Sequence, residues 1–218
     1  MRSQRTFDNL YKIAERQQGC FTSAQAREAG YSTQSQYHHV KTADWERLSR
    51  GIFRLRYHPR PPRLDLLNYY LWTSNRQGTP QGVFSHDTAL SVYPYSVWVS
   101  IKTHITVPKA FNKRAKPPGE IALYRADLKP ADILLIENVS VTTPLRTLAD
   151  LMIRGFAAQH HLVDFVRTSL ATNVITKEQL ITAELTDREW NLVIPLFHKA
   201  GYSEIDEIPI SRTIQARA

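Results

Sequence analysis

The stretch TSAQAREAGYSTQSQYHHVKTADWERLSRGIFRLRY, residues 22–57, decides the fold. Thr22-Ser23-Ala24-Gln25 is a capping-box pattern, in which a threonine side chain and a glutamine three residues later satisfy each other's backbone donors. A short helix therefore opens there, runs through Ala29 and stops at Gly30. Ser32 or Thr33 caps the next helix, with Gln36 three residues after Thr33. Almost no linker separates these two helices, which is the spacing of a helix-turn-helix. Trp45–Leu48, Ser49-Arg50-Gly51 and Ile52–Tyr57 then read as strand, tight turn, strand. Upstream, Phe7, Leu10, Tyr11 and Ala14 recur at i, i+3, i+4 and i+7, the apolar stripe of a first helix that Gly19 ends. Three short helices followed by a two-stranded ribbon predict a winged helix-turn-helix over residues 1–60.

Charge gives that module a partner. The chain of 218 residues carries 28 Lys+Arg against 20 Asp+Glu, a formal net charge of +8. Residues 1–60 hold eleven of the basic residues and only five acids, whereas the remaining 158 residues hold seventeen against fifteen. A strongly basic small module joined to a nearly neutral one points to a polyanion met by the first. Other classes fall away on composition. A single cysteine excludes a disulfide framework and a cysteine-based zinc ribbon. No run approaches about 18 consecutive apolar residues, so no membrane span is expected. The start MRSQRTFDNLYK lacks the apolar core of a secretory signal. A soluble cytoplasmic protein is expected.

On a wheel at about 100° per residue, Thr33, Tyr37 and Val40 of the third helix fall together and are expected to pack on the first two helices. Gln34, Ser35, His38, His39 and Thr42 cover the opposite side, with Lys41 at its flank. That face is polar and free of acids. Glutamine pairs bidentately with adenine, and serine, threonine and histidine make more adaptable contacts to base edges. The helix is sized for the major groove. Arg47, Arg50, Arg54 and Arg56 flank or tip the ribbon, where arginine contacts phosphate and positions the protein rather than reading sequence. Phe53, Leu55 and Tyr57 alternate onto its inner face. The candidate DNA-binding set is Gln34, Ser35, His38, His39, Lys41, Arg47, Arg50 and Arg54. Two copies on an inverted repeat are expected, because one winged helix reads only a short site.

Residues 57–63, Tyr-His-Pro-Arg-Pro-Pro-Arg, read as an extended proline-rich hinge, which places a domain boundary near residue 60. Residues 61–218 then form a second domain. It opens with a helix carrying Leu64, Leu67 and Leu71 on one side, followed by a Ser85-capped helix from His86 to Tyr93. Strands are expected at His104–Val107 and Ile121–Arg125. Thr143-Pro144 starts a helix with Leu145, Leu148, Ala149 and Met152 on its apolar face. Helices near 157–171, 176–183 and 187–200 follow, and Ile208 to Ala218 reads as a loose tail. The fold class is α+β: an N-terminal winged helix-turn-helix plus a mixed α/β C-terminal domain with a small sheet and several helices.

Four phrases in this order resemble the AbiEi family of antitoxins. They are Arg50-Gly51-Ile52-Phe53-Arg54, Phe84-Ser85-His86-Asp87-Thr88-Ala89-Leu90, His104-Ile105-Thr106-Val107-Pro108 and Val141-Thr142-Thr143-Pro144-Leu145-Arg146-Thr147-Leu148-Ala149-Asp150-Leu151. The resemblance runs from about residue 7 to residue 185. It implies a bipartite bacterial-type protein of an abortive-infection, phage-defence toxin–antitoxin pair. Its N-terminal domain would bind the operon's own double-stranded promoter DNA and repress it. Its C-terminal domain would counteract a nucleotidyltransferase-like toxin encoded beside it. Some family-like chains add a nuclease domain, which is not expected here.

The residues themselves keep a second reading open: an ordinary winged-helix transcription regulator whose C-terminal domain binds an effector or dimerises. An enzyme is not expected. Asp132 and Glu137 form the nearest acidic pair, but Glu137-Asn138-Val139 lacks the lysine of an acid-x-lysine nuclease strand. A Gly-Ser with a downstream Asp-x-Asp, as in nucleotidyltransferases, and any phosphate loop are missing. Ser85 with Thr88 reads as helix capping, since no glycine-flanked elbow surrounds the serine. Arg146 and Asp150, four apart, read as a structural pair, and His160-His161 lacks partners at metal-ligand spacing. No cofactor and no metal are expected.

Overall fold

The computed structural model describes residues 2–94, 96, 98–155 and 158–209. It divides into two compact units, one of Met1–Val83, Thr106–Asp127 and Glu137–Val139, the other of Phe84–Ile105, Leu128–Ile136 and Ser140–Ala218. The tail expected from Ile208 onward lies outside the described residues beyond position 209, as does Ala157 near the start of an expected helix.

The first unit begins with α1 (Arg2–Glu15), β1 (Cys20–Thr22), α2 (Ser23–Ala29), α3 (Thr33–Lys41), β2 (Trp45–Ser49) and β3 (Ile52–Leu55). This is the expected winged helix-turn-helix, with one addition. Cys20-Phe21-Thr22 forms a third strand, so the ribbon is a sheet of order β1-β3-β2. Cys20 pairs with Arg54 and Thr22 with Ile52, both antiparallel, while Trp45 pairs with Leu55 on the other side. As the middle strand β3 is paired on both edges, α4 packs against it, and Ile52, Phe53 and Arg54 are all buried. Leu10 and Ala14 of α1 meet Phe21, Ala26, Ala29, Tyr31, Trp45 and Phe53 in one core. Phe21 and Trp45 meet edge to face at 4.7 Å between ring centres. Tyr57, expected on the inner face, lies past the end of β3 and is 88% exposed.

Beyond the proline stretch the chain turns into α4 (Leu64–Trp72), which packs against β1 and β3 with Leu64, Leu67 and Leu71 buried. Ser49 donates to Asn68 Oδ1 at 2.7 Å. The first compact unit thus continues past residue 60.

Five more strands form the second sheet, in the order β6-β5-β4-β8-β7. They are β4 (Val83–Phe84), β5 (Thr103–Val107), β6 (Ile121–Arg125), β7 (Ile133–Ile136) and β8 (Val139–Thr142), with β4 and β8 parallel. The helices of the second unit are α5 (His86–Val92), α6 (Pro144–Ile153), α7 (Gln159–Ala171), α8 (Lys177–Thr182) and α9 (Asp187–Lys199). Their core gathers Leu90, Leu148, Leu162, Val166, Trp190 and Phe197. Thr143 caps α6 by accepting from Arg146 N at 3.3 Å, with Pro144 in the first turn. Arg146 does more than pair with Asp150. Buried to 11% exposure, it reaches both Asp150 at 2.8 Å and Glu189 of α9 at 2.6 Å, tying two helices together.

Candidate nucleic-acid interface

Local hydrogen bonding sets the geometry of the α2–α3 pair. The expected capping box forms: Thr22 N donates to Gln25 Oε1 at 2.8 Å and Gln25 N to Thr22 Oγ1 at 3.2 Å. Gly30 sits at φ 110°, a left-handed conformation that glycine adopts without steric penalty, and closes α2. Ser32 is the cap of α3, accepting from Ser35 N at 3.0 Å. Gln36 does not complete a second box. Its side chain turns inward, 3% exposed, where Oε1 accepts from Ser23 Oγ at 2.7 Å. Its amide nitrogen donates to Ser23 O and Tyr31 O, each at 3.3 Å.

That one glutamine corrects the phase of the helix. Gln36, with Val40 and His39 partly covered, forms the inner edge, while Thr33, Gln34, Tyr37, His38 and Lys41 are exposed. Tyr37, expected inside, is 71% exposed. The face presented to solvent is thus a glutamine, a tyrosine, a histidine and a lysine at i, i+3, i+4 and i+7, free of acids. A face of this composition has hydrogen-bond donors and acceptors for base edges and a cation for phosphate.

The eight expected contacts separate into three groups. Gln34, His38 and Lys41 lie exposed on α3, and Arg47 and Arg50 lie exposed on the wing. Ser35 is half-buried in the first turn of α3, its backbone engaged by the Ser32 cap. His39 and Arg54 face the wrong way for DNA. The His39 ring stacks on Trp45 at 5.0 Å and 19°, and its Nδ1 lies 3.1 Å from Asp44 Oδ2. Thr42 donates to the same carboxylate at 2.7 Å, and chiefly through that bond holds Asp44 below the usual carboxylate range.

Arg54 is a buried structural cation. On the central strand its side chain is 8% exposed, with Nη2 2.8 Å from Glu46 Oε2. Nη1 donates to His58 O at 2.6 Å and Nη2 to Arg56 O at 3.4 Å. The hydrogen bond from Arg54 is the main reason the Glu46 carboxyl sits below its ordinary value. A guanidinium whose donors are taken up in this way is not available to phosphate. Beside it, burial pushes the Cys20 thiol up to about 12, which keeps it neutral and unreactive.

Ser85 departs from its expected role. It makes no cap bond; instead its Oγ lies 2.9 Å from His86 Nδ1, with both residues buried and His86 at φ 52°. Burial pushes His86 down to about 3, followed by repulsion from His104, Arg154 and Arg146. Thr88 Oγ1 accepts from His104 N at 2.8 Å, joining α5 to β5. His160 and His161 are neighbours in the first turn of α7, ring centres 4.0 Å apart. Among the described residues no group of three or more His, Cys, Asp or Glu could hold a metal ion, and no helix is long and apolar enough to cross a membrane.

Helix, turn, helix and the β2–β3 ribbon together make a winged helix-turn-helix. Residues 8–56 match the family model described as "Transcriptional regulator, AbiEi antitoxin". The AbiEi resemblance read from the sequence is therefore matched over the whole helix-turn-helix and most of the wing. Across the full fold, the chain resembles the crystal structure of the RV2827C protein from Mycobacterium tuberculosis, with a TM-score of 0.57 and 13% identity. That alignment covers 97% of this chain and 81% of the other. At such identity the likeness is one of fold. No curated protein matches the sequence.

Proposed function

We propose that this chain is a cytoplasmic autorepressing antitoxin. In this reading, α3 enters the major groove of its own promoter, with Gln34 and His38 at base edges and Lys41 on phosphate. Arg47 and Arg50 of the wing grip the flanking backbone. Two copies meet on an inverted repeat, and residues 61–218 counteract a nucleotidyltransferase-like toxin in an abortive-infection, phage-defence pair. One observation carries the DNA half: the outward face of α3 and the adjoining wing turn expose cations and amides with no acid among them. The antitoxin half rests on the description of the family matched at residues 8–56.

The test has two arms. Fluorescence anisotropy should show the full chain preferring a duplex from upstream of its own gene over a random duplex of equal length. Affinity should fall with salt at a log–log slope of roughly −4 to −5 if about 4–6 phosphates are neutralised. Co-expression with the protein encoded beside it should relieve that protein's toxicity. Promoter binding without neutralisation would favour the ordinary regulator with an effector-binding or dimerising second domain. Absence of preference for the promoter duplex would refute the repressor.

A further inference from the structure

Beside the wing turn lie two adjoining clefts, of about 270 and 410 Å³, both within the first compact unit. Arg50 and Gly51 line the first; Arg76 and Arg114 line the second; Ser74, Asn75 and Lys113 line both. Among the described residues no carboxylate lines either one. Arg76, Arg114 and the nearby Lys116 are exposed.

The loop that carries Arg76 is held by the helix-turn-helix itself. Gln25, whose Oε1 completes the α2 capping box, donates through Nε2 to Gly78 O at 3.1 Å. Gly78 sits at φ 87°, and a Cβ there would come within 2.8 Å of Gln25 Cγ, so the loop and α2 are in close contact. Asn75 Oδ1 accepts from Gln77 N and Thr79 N, each at 3.0 Å, which closes the loop on itself. The second loop is pinned by Trp72 Nε1, which donates to Ala115 O at 3.2 Å, and by Lys113 Nζ, which donates to Ser74 O at 2.6 Å.

Two groups here lack a counterpart. Lys113 is partly withdrawn from water, which lowers its affinity for a proton, and it has a carbonyl rather than a carboxylate beside it. The Ser74 hydroxyl is buried with no hydrogen-bond partner. An arriving phosphate would compensate the first and offer an acceptor to the second.

We infer that the loops at 74–79 and 111–116 form a second phosphate grip, which receives the duplex backbone beyond the wing turn and extends the DNA contact outside the helix-turn-helix. This rests on the DNA-binding reading above and adds residues that neither the helix pattern nor the family match includes. Backbone contacts of this kind strengthen binding to every sequence equally.

Anisotropy on the full chain tests it, using the promoter duplex and a random duplex between 50 and 200 mM NaCl. Losing two phosphate contacts per copy in the Arg76→Ala/Arg114→Ala variant should flatten the salt slope by about 1.8 for each bound copy, so the drop in each copy's affinity over that range becomes about tenfold smaller. Both duplexes should weaken alike. Arg76→Lys/Arg114→Lys should restore the slope, which a disturbed fold would not do. The grip is overturned, with the repressor reading intact, if the alanine pair binds like the parent while Arg50→Ala flattens the slope. Weakening confined to the promoter duplex would overturn it too, as that is base readout. If the parent chain binds neither duplex, the repressor reading fails and the grip falls with it.

Discussion

Replacing Arg54 by methionine should destabilise the wing and leave the electrostatics of DNA binding intact. Methionine keeps an unbranched apolar stem in the space of the arginine stem but loses the guanidinium. Glu46, 2.8 Å away, would lose its nearest cation, and the carbonyls of His58 and Arg56 would lose their donors. Removing one partner of a fully buried ion pair costs about 3–5 kcal/mol. Here Glu46 is 35% exposed and keeps Arg60 at 3.3 Å, so the lower end, about 3 kcal/mol, applies. For a chain of this size that corresponds to a melting temperature lower by about 6–12 °C. Circular dichroism measures the melt; anisotropy at 15 °C measures the salt slope on promoter duplex. Arg54→Met should keep the parental slope, whereas Arg50→Ala should keep the parental melting temperature and flatten the slope by about one unit. An Arg54→Met protein that melts like the parent and loses a unit of slope would show that this guanidinium contacts DNA after all.

Other perturbations separate fold from recognition. Gln36→Ala removes three hydrogen bonds at the helix-turn-helix corner and takes the side-chain donor from the buried Tyr31 carbonyl, at about 2–3 kcal/mol in all. An unchanged urea midpoint would refute that. Gln34→Ala and His38→Ala should each reduce the preference for promoter over random duplex by about 1–3 kcal/mol, with the salt slope preserved; equal weakening on both duplexes would deny them base contact. His86 gives a pH dependence. Its proton affinity is normal in the unfolded chain, but its folded value is about 3, so only the unfolded state takes up a proton between pH 6.5 and 3. Stability conferred by the neutral ring is therefore complete above pH 6.5 and falls by about 1.4 kcal/mol per unit as pH drops below it. His86→Asn tolerates the left-handed backbone at φ 52° and should remove that component, so parent and variant should lose different amounts between pH 7 and pH 5 in urea titrations. Equal losses would refute the assignment.

What could be read from the sequence was local: the α2 capping box, the Gly30 stop, the Ser49-Arg50-Gly51 turn and the Thr143-Pro144 helix start. Each depends on backbone donors and dihedrals within four residues, so the sequence window contains its cause. The errors share a different origin. A helical wheel separates polar from apolar faces, and it identifies the inner face only when the inside is apolar. On α3 the inside is Gln36, satisfied by Ser23 and Tyr31, whereas an apolar-in wheel puts Tyr37 in the core and turns His39 outward. Arg54 reads as a cation flanking or tipping the wing until β1 makes β3 a central strand with Glu46 beside it. β1 itself is three residues between a glycine and a capping box, too short to show a period. The loop cations at 76 and 113–116 carried no pattern, because what brings them near Arg50 is hydrogen bonding across tens of residues.

Those long-range bonds bear on where the DNA-binding function can be cut out of the chain. A fragment ending at Arg60 would strip α4 from β1 and β3 and leave Ser49 without Asn68. Ending it at Val83 restores both, yet Trp72 and Ser74 would still lack Ala115 and Lys113. The unit that holds the helix-turn-helix is thus assembled from segments separated in sequence by part of the other unit, and no amino-terminal fragment contains it whole without also carrying part of that other unit. A truncated winged helix that binds DNA weakly would therefore say little about Gln34 or Arg50, since the loss mixes contact with stability. Point substitutions at exposed positions in the full chain, read through salt slope and melting temperature together, keep the two causes apart.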